Sequence, residues 1–196
     1  MKPELYRMAK RPAFLPVKRR EDFAPIEKTE APEIVAVDRF TECHVTPADV
    51  AARMVEYLDV SPSQCGQVLE PSAGTGNLSR ALSTAGFGPS QIVQVERHIR
   101  LSQGLHDFGS VANRCFLEYA AEMRGRAEFD RIIMNPPFSD VRKHVAAARD
   151  LLAPGGVLVA LVPVTFREGQ ETLETLPPDT FANAKVYTKI IRICRE

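Results

Sequence analysis

Six consecutive apolar residues at 157–162, Val-Leu-Val-Ala-Leu-Val, follow directly on Pro154-Gly155-Gly156. A strand with one wet face alternates apolar and polar residues, whereas a strand covered on both faces reads as an unbroken apolar run. No apolar run in the chain reaches the roughly 20 residues that a membrane helix needs. The segment therefore predicts an interior strand of a sheet lying between two layers. Its neighbours must then supply further strands, and helices for both faces.

The neighbours read that way from Val45 onwards. Thr46-Pro47 followed by Val50, Met54, Val55 and Leu58 predicts a capped amphipathic helix. Residues 67–70 form a short buried strand, and 77–85 a helix closed by Gly86. Residues 92–96 give a second strand, 99–108 a helix, and 112–116 a third strand. Residues 131–134 give a fourth strand, entered from Phe129-Asp130. Val141, Val145, Ala148, Leu151 and Leu152 share one helical face, and Pro154-Gly155-Gly156 stops that helix. Residues 165–179 read as a loop, and 184–194 as one long or two short strands. Strands alternating with helices predict an α/β fold: a Rossmann-like, doubly wound, mostly parallel sheet with helices on both faces. Ligands of such sheets sit beyond the carboxyl ends of the strands, which is where chemistry is expected.

The first 38 residues stand apart. They carry five prolines and no helical period, with seven Lys or Arg against Glu4 in the first twenty, then an acidic stretch from Glu21 to Asp38. This segment is expected to be an extended arm, either a solvated tail or a basic strap lying on phosphates. Over the whole chain Lys+Arg and Asp+Glu both number 25, so a nucleic-acid partner would need a local basic patch. Cys43, Cys65, Cys115 and Cys194 are scattered, without CxxC or zinc spacing. They read as reduced thiols of a cytoplasmic protein that holds no metal. The N-terminus lacks the apolar stretch of a secretory signal.

Three constellations fall at predicted strand ends. Val68-Leu69-Glu70-Pro71-Ser72-Ala73-Gly74-Thr75-Gly76-Asn77 runs strand, glycine turn, helix. Gly74 and Gly76 would let backbone approach a ligand, and the following helix start would offer N–H groups to it. Position 79 is Ser79, so the third glycine of a dinucleotide fingerprint is missing, and there is no GK[ST] phosphate loop. A purely structural turn is the alternative. Glu96 ends the second strand, where an acid can accept hydrogen bonds from two ribose hydroxyls. Beside Arg97 and Arg100, it could equally be a surface carboxylate. Asn135-Pro136-Pro137-Phe138 follows the fourth strand at once. The prolines stiffen the turn, remove two donors and hold Asn135 extended. The turn thus offers an amide oxygen, a carbonyl and an aromatic ring. Two acceptors around the N–H groups of an aryl amine or amide would localise a lone pair otherwise drawn into the π system. A ring beside them can stack on a base, a contact worth ~1–3 kcal/mol.

These two motifs, residues 70–76 and 135–138, resemble those of the amino-methyltransferase family, whose members include DNA and RNA adenine-N6 methyltransferases and glutamine methyltransferases of release factors. The first motif looks most like that of small plasmid- or phage-type DNA adenine enzymes. Residues 40–57 also resemble the family's extra cofactor-binding segment, and the match spans about 40–165. The resemblance implies a class I domain over 39–196 that uses S-adenosyl-L-methionine, leaves S-adenosyl-L-homocysteine, and transfers methyl to the N6 amino group of adenine in DNA. It implies that Thr46, Glu70, Ser72, Gly74 and Gly76 surround the methionine end. Glu96 would hold the ribose, and Phe116 or Leu117 would pack on the cofactor's adenine. Asn135 and Pro136 would hold the target amine within the rigid turn completed by Pro137, and Phe138 would stack on the target base. An RNA adenine enzyme, a protein glutamine-N5 enzyme and a cofactor-binding module without turnover are the alternatives. Cys115 stands where many members have an Asp that meets the cofactor's adenine amino group, and a thiol is a poor acceptor. His44 reads as a surface or substrate-facing residue. Arg142, Lys143, His144 and Arg167 read as a solvated or phosphate-facing set.

Overall fold

The apolar run at 157–162 divides residue by residue between two cores, because side chains alternate across a strand. Val159 and Leu161 join one buried cluster, and Leu158, Ala160 and Val162 join the other. Ile133 likewise lies on the first side, with Ile132 and Met134 on the second. These facts come from a computed structural model that describes residues 45–126, 128–181 and 185–196, all within the unit Ala36–Glu196. The expected arm at 1–38, together with Phe40, Cys43 and His44, lies outside the described residues.

Seven strands form one sheet. β1 (Val68–Pro71), β2 (Ile92–Val95), β3 (Ser110–Ala112), β4 (Phe129–Met134) and β5 (Leu152–Pro163) run parallel, and β6 (Glu171–Thr175) and β7 (Thr188–Cys194) complete it in the order β3-β2-β1-β4-β5-β7-β6. β7 is antiparallel to both β5 and β6. α1 (Ala48–Glu56) and α2 (Asn77–Thr84) bury Val50, Met54, Leu78 and Leu82 on the first face. α4 (Phe116–Glu122) and α5 (Val141–Leu151) bury Phe116, Ala120, Val145 and Ala148 on the second. The short α3 (Ile99–Ser102) runs into a 3₁₀ turn at Gln103–Leu105. Both faces are covered, and the α/β, doubly wound architecture is as expected.

Four local expectations are corrected. The third strand lies at Ser110–Ala112, not at 112–116, and Phe116 opens a helix that the sequence reading lacked. Asn113 turns out of the sheet to donate to the Glu96 backbone carbonyl at 2.8 Å, which ends the strand. The predicted loop at 165–179 contains β6, an edge strand whose polar Glu-Thr-Leu-Glu-Thr sequence hides its pairing. Pro154-Gly155-Gly156 lies inside β5 as an irregularity opposite Asp130, after α5 has already ended at Leu151. Finally, Leu58 lies beyond the end of α1, and Thr46 does not cap that helix; Pro47 takes the cap position.

Gly109 sets the approach to β3. A Cβ there would stand 2.2 Å from the Ile92 carbonyl oxygen and 2.9 Å from Ile92 Cβ. Backbone cannot yield as a flexible side chain does, so Gly109→Ala is expected to cost ~1–3 kcal/mol in urea unfolding. An unchanged midpoint would show that β3 can move away from β2 freely.

Candidate functional site

Strand order reverses between β1 and β4, so the chain leaves their carboxyl ends in opposite directions and opens a crevice there. A cavity of about 290 Å³ occupies that position. Its wall includes Thr46, Glu70, Ser72, Glu96, Phe116, Leu117, Asn135 and Pro137. The turns after β1, β2 and β4 and the start of α4 thus meet at one space. Gly74, Gly76, Pro136 and Phe138 do not line it.

The two glycines make contacts within the protein that their spacing does not record. Gly74 donates its N–H to Glu96 Oε2 at 2.8 Å. Gly76 takes φ 79°, a left-handed conformation open to glycine, and a Cβ there would meet Leu105 Cδ2 at 2.6 Å. Its neighbour is the 3₁₀ turn rather than the cavity. Phe138 is half-buried and opens the 3₁₀ turn Phe138–Asp140.

Glu96 is a structural hub as well as part of the wall. It is 5% exposed, and its Oε1 accepts the His98 N–H at 2.7 Å. With Gly74 on Oε2, one carboxylate fastens the β1–α2 turn to the β2–α3 turn. A carboxylate offers about four acceptor sites, so both oxygens can still receive hydroxyl donors from the cavity.

Glu70 lies deeper, at 2% exposure, and accepts a short hydrogen bond from Ser79 Oγ. Burial pushes its carboxyl from 4.5 up to about 8, against the hydrogen bonds from Ser79, and the Glu96 charge adds to the rise. The sign is that of an acid whose folded pKa exceeds its unfolded value. Glu70 binds a proton in the folded state that the unfolded chain has released, so its contribution is fully present below about 4.5 and is lost as pH rises to about 8. The stability difference between wild type and Glu70→Gln is thus expected to change by up to ~1.4 kcal/mol per pH unit across that window. Urea unfolding from pH 5 to 9 would read it. Parallel curves for the two proteins would contradict a proton-holding Glu70.

Thr46 joins the two signature turns. Its backbone carbonyl accepts from Asn77 Nδ2 at 2.7 Å, and its Oγ1 accepts from Asn135 Nδ2 at 3.0 Å. In the second bond the amide nitrogen of Asn135 faces Thr46.

Cys115, Asn77 and His144 are cavity residues to which the sequence reading gave no settled role there. The sequence groups His144 with Arg142 and Lys143 as a solvated or phosphate-facing set. Those two are exposed and pair with Glu168 at 3.8 Å and Asp140 at 2.8 Å, whereas His144 is 7% exposed. Its spacing carried the signal: it stands between Val141 and Ala148 on the buried stripe of α5. Burial lowers its pKa, and its ring lies 5.7 Å from that of Phe116 in a stacked arrangement. Arg167 is exposed and donates to the Val164 and Phe166 carbonyls.

Among the described residues Cys65, Cys115 and Cys194 are free thiols, no group of three or more His, Cys, Asp or Glu is placed to hold a metal ion, and no helix is long and apolar enough to cross a membrane.

No family model and no curated protein matches the chain. Solved structures do. The methyltransferase subunit of a type I restriction-modification system from Streptococcus thermophilus aligns with 78% of this chain at 18% identity and TM-score 0.65. TrmN from Thermus thermophilus aligns with 76% at 16% identity and TM-score 0.55. The chain spans 44% and 49% of those two proteins. An RNA methyltransferase from Salinibacter ruber, solved with S-adenosyl-L-homocysteine, aligns with 76% of this chain and 92% of its own length, at 18% identity and TM-score 0.55. At these identities the likeness is one of architecture: the chain has the Rossmann-like fold of class I methyltransferases.

Proposed function

We propose that this protein transfers a methyl group from S-adenosyl-L-methionine to the N6 amino group of adenine in DNA. One observation carries the reading: Asn135 and Pro137 line the same cavity as Thr46, Glu70, Ser72 and Glu96. Core side chains plugging that space, or a 135–138 turn facing elsewhere, would have ended it.

The donor set fits the cofactor. The buried Glu96 carboxylate suits a ribose diol, and Glu70, which burial keeps protonated until a positive charge compensates it, suits a ligand that brings one. Phe116 and Leu117 offer an apolar wall for a purine. When bound, the cofactor supplies an electrophilic methyl group on a positively charged sulfur. The chain's own residues do the rest by positioning. Thr46 holds the Asn135 amide through Nδ2, which directs Oδ1 as the acceptor for a target N–H. On this reading the Pro136 carbonyl, although Pro136 is not part of the cavity wall, takes the other N–H, so the lone pair of the target nitrogen points at the methyl carbon. Phe138 stacks on the target base. A base in a duplex must leave its stack to reach this turn, at a cost of a few kcal/mol, unless the substrate is single-stranded. On this reading residues 39–196 are the catalytic domain and 1–38 an arm available to phosphates.

RNA is the second reading. The alignment covers 92% of the Salinibacter RNA methyltransferase, against 44% of the restriction-modification subunit. Incubation with tritiated S-adenosyl-L-methionine and separate DNA, RNA and protein pools, followed by nucleoside analysis, decides. Label in N6-methyladenosine from RNA alone would replace DNA as the substrate, and label in none of the pools would remove the transferase reading.

A further inference from the structure

The cavity beside Glu96 has aromatic and apolar surface, and two of its polar side chains are already engaged: Asp140 Oδ1 accepts from Lys143 at 2.8 Å, and His98 Nε2 from Arg97 at 3.1 Å. Phe116, Leu117 and Leu101 line it, and Cys115 adds a thiol, which accepts hydrogen bonds poorly. A purine held there by its ribose at Glu96 would bring its exocyclic amine against this wall. His144 is the second imidazole in the same wall, after His98.

The state of that imidazole follows from its surroundings. Nδ1 lies 3.2 Å from the Asp140 backbone oxygen. A carbonyl only accepts, so Nδ1 carries the proton and the neutral ring presents Nε2 as a lone pair. Burial favours this neutral form over the imidazolium, while the Asp140 contacts work the other way. The stacked Phe116 ring and the α5 backbone fix the imidazole plane. Among the described residues Nε2 has no hydrogen-bond partner.

We propose, resting on the S-adenosyl-L-methionine reading above, that His144 Nε2 accepts a hydrogen bond from the 6-amino group of the cofactor's adenine. The residue thereby sets specificity for adenine over purines without that amine, a role that the Cys115 thiol cannot fill. It is a binding residue for the cofactor and takes no part in methyl transfer.

Calorimetry on the full chain tests this with two probes, S-adenosyl-L-homocysteine and its analogue lacking the 6-amino group. Wild type is expected to bind the first about tenfold more tightly, the scale of one net hydrogen bond. His144→Phe keeps a ring against Phe116 but has no acceptor, so the two affinities should converge. Adding Cys115→Asp to that variant should restore the preference by placing a carboxylate at the same wall. Equal affinities in wild type, or a preference that survives His144→Phe, would overturn the assignment while leaving the cofactor reading intact. Failure of wild type to bind S-adenosyl-L-homocysteine would instead remove the cofactor reading, and this inference with it.

Discussion

Asn135→Ala is expected to lower single-turnover methyl transfer on the order of 10²–10³-fold, the range found when one preorganised polar contact to a reacting group is deleted. The loss should fall mainly on the chemical step, because the Oδ1 acceptor matters most as the target nitrogen's lone pair localises. Binding of S-adenosyl-L-homocysteine should change far less. Asn135→Asp separates two contributions. It keeps an acceptor for the target amine but cannot donate to Thr46 Oγ1 as Nδ2 does at 3.0 Å. Its rate should therefore fall between those of wild type and Asn135→Ala. Transfer at the wild-type rate in Asn135→Ala would refute the clamp.

Glu96→Ala should act on folding and binding together. The Gly74 and His98 N–H groups both donate to this carboxylate, at 2.8 and 2.7 Å. Leaving a buried donor unsatisfied costs ~1–3 kcal/mol, and both amides here are part-buried beside a cavity, so the two together should cost about that much in urea unfolding. On the proposed reading cofactor affinity should fall at least tenfold, since an acceptor for the ribose would go and the turn carrying Gly74 would loosen. Glu96→Gln keeps one acceptor but aims an amide N–H at the other donor, and it should recover only part of the stability. Glu118→Ala, on the exposed side of α4, is the control expected to leave both properties unchanged. A Glu96→Ala protein as stable as the wild type would show that solvent replaces the carboxylate at both amides.

Long-period signals were legible from the sequence, and short or compensated ones were not. The run at 157–162 and the stretch 131–134 announced interior strands because apolar residues on successive positions have no other economical burial. Residues 110–112 and 171–175 are edge strands, partly exposed and short or polar, so burial leaves little pattern in them. Phe116, Ala120 and Met123 do carry helical spacing, yet Phe116 also fits the end of an apolar strand, and the sequence alone does not separate the two. The cavity was legible where a motif sits at a strand end, as with Glu70, Glu96 and Asn135. His144 was not, because its neighbours Arg142 and Lys143 are charged and face out while the helix turns it inward. The engagement of Gly74 and Gly76 with Glu96 and Leu105 depends on tertiary approach that spacing does not record.

Thr46 grips Asn77 with its carbonyl and Asn135 with its hydroxyl, ahead of α1. The chain therefore surrenders the conformational entropy of both turns while folding, and little is left to surrender when a small molecule arrives. Capture should then resemble entry into a finished mould, with the heat of binding reporting contacts made rather than segments ordered.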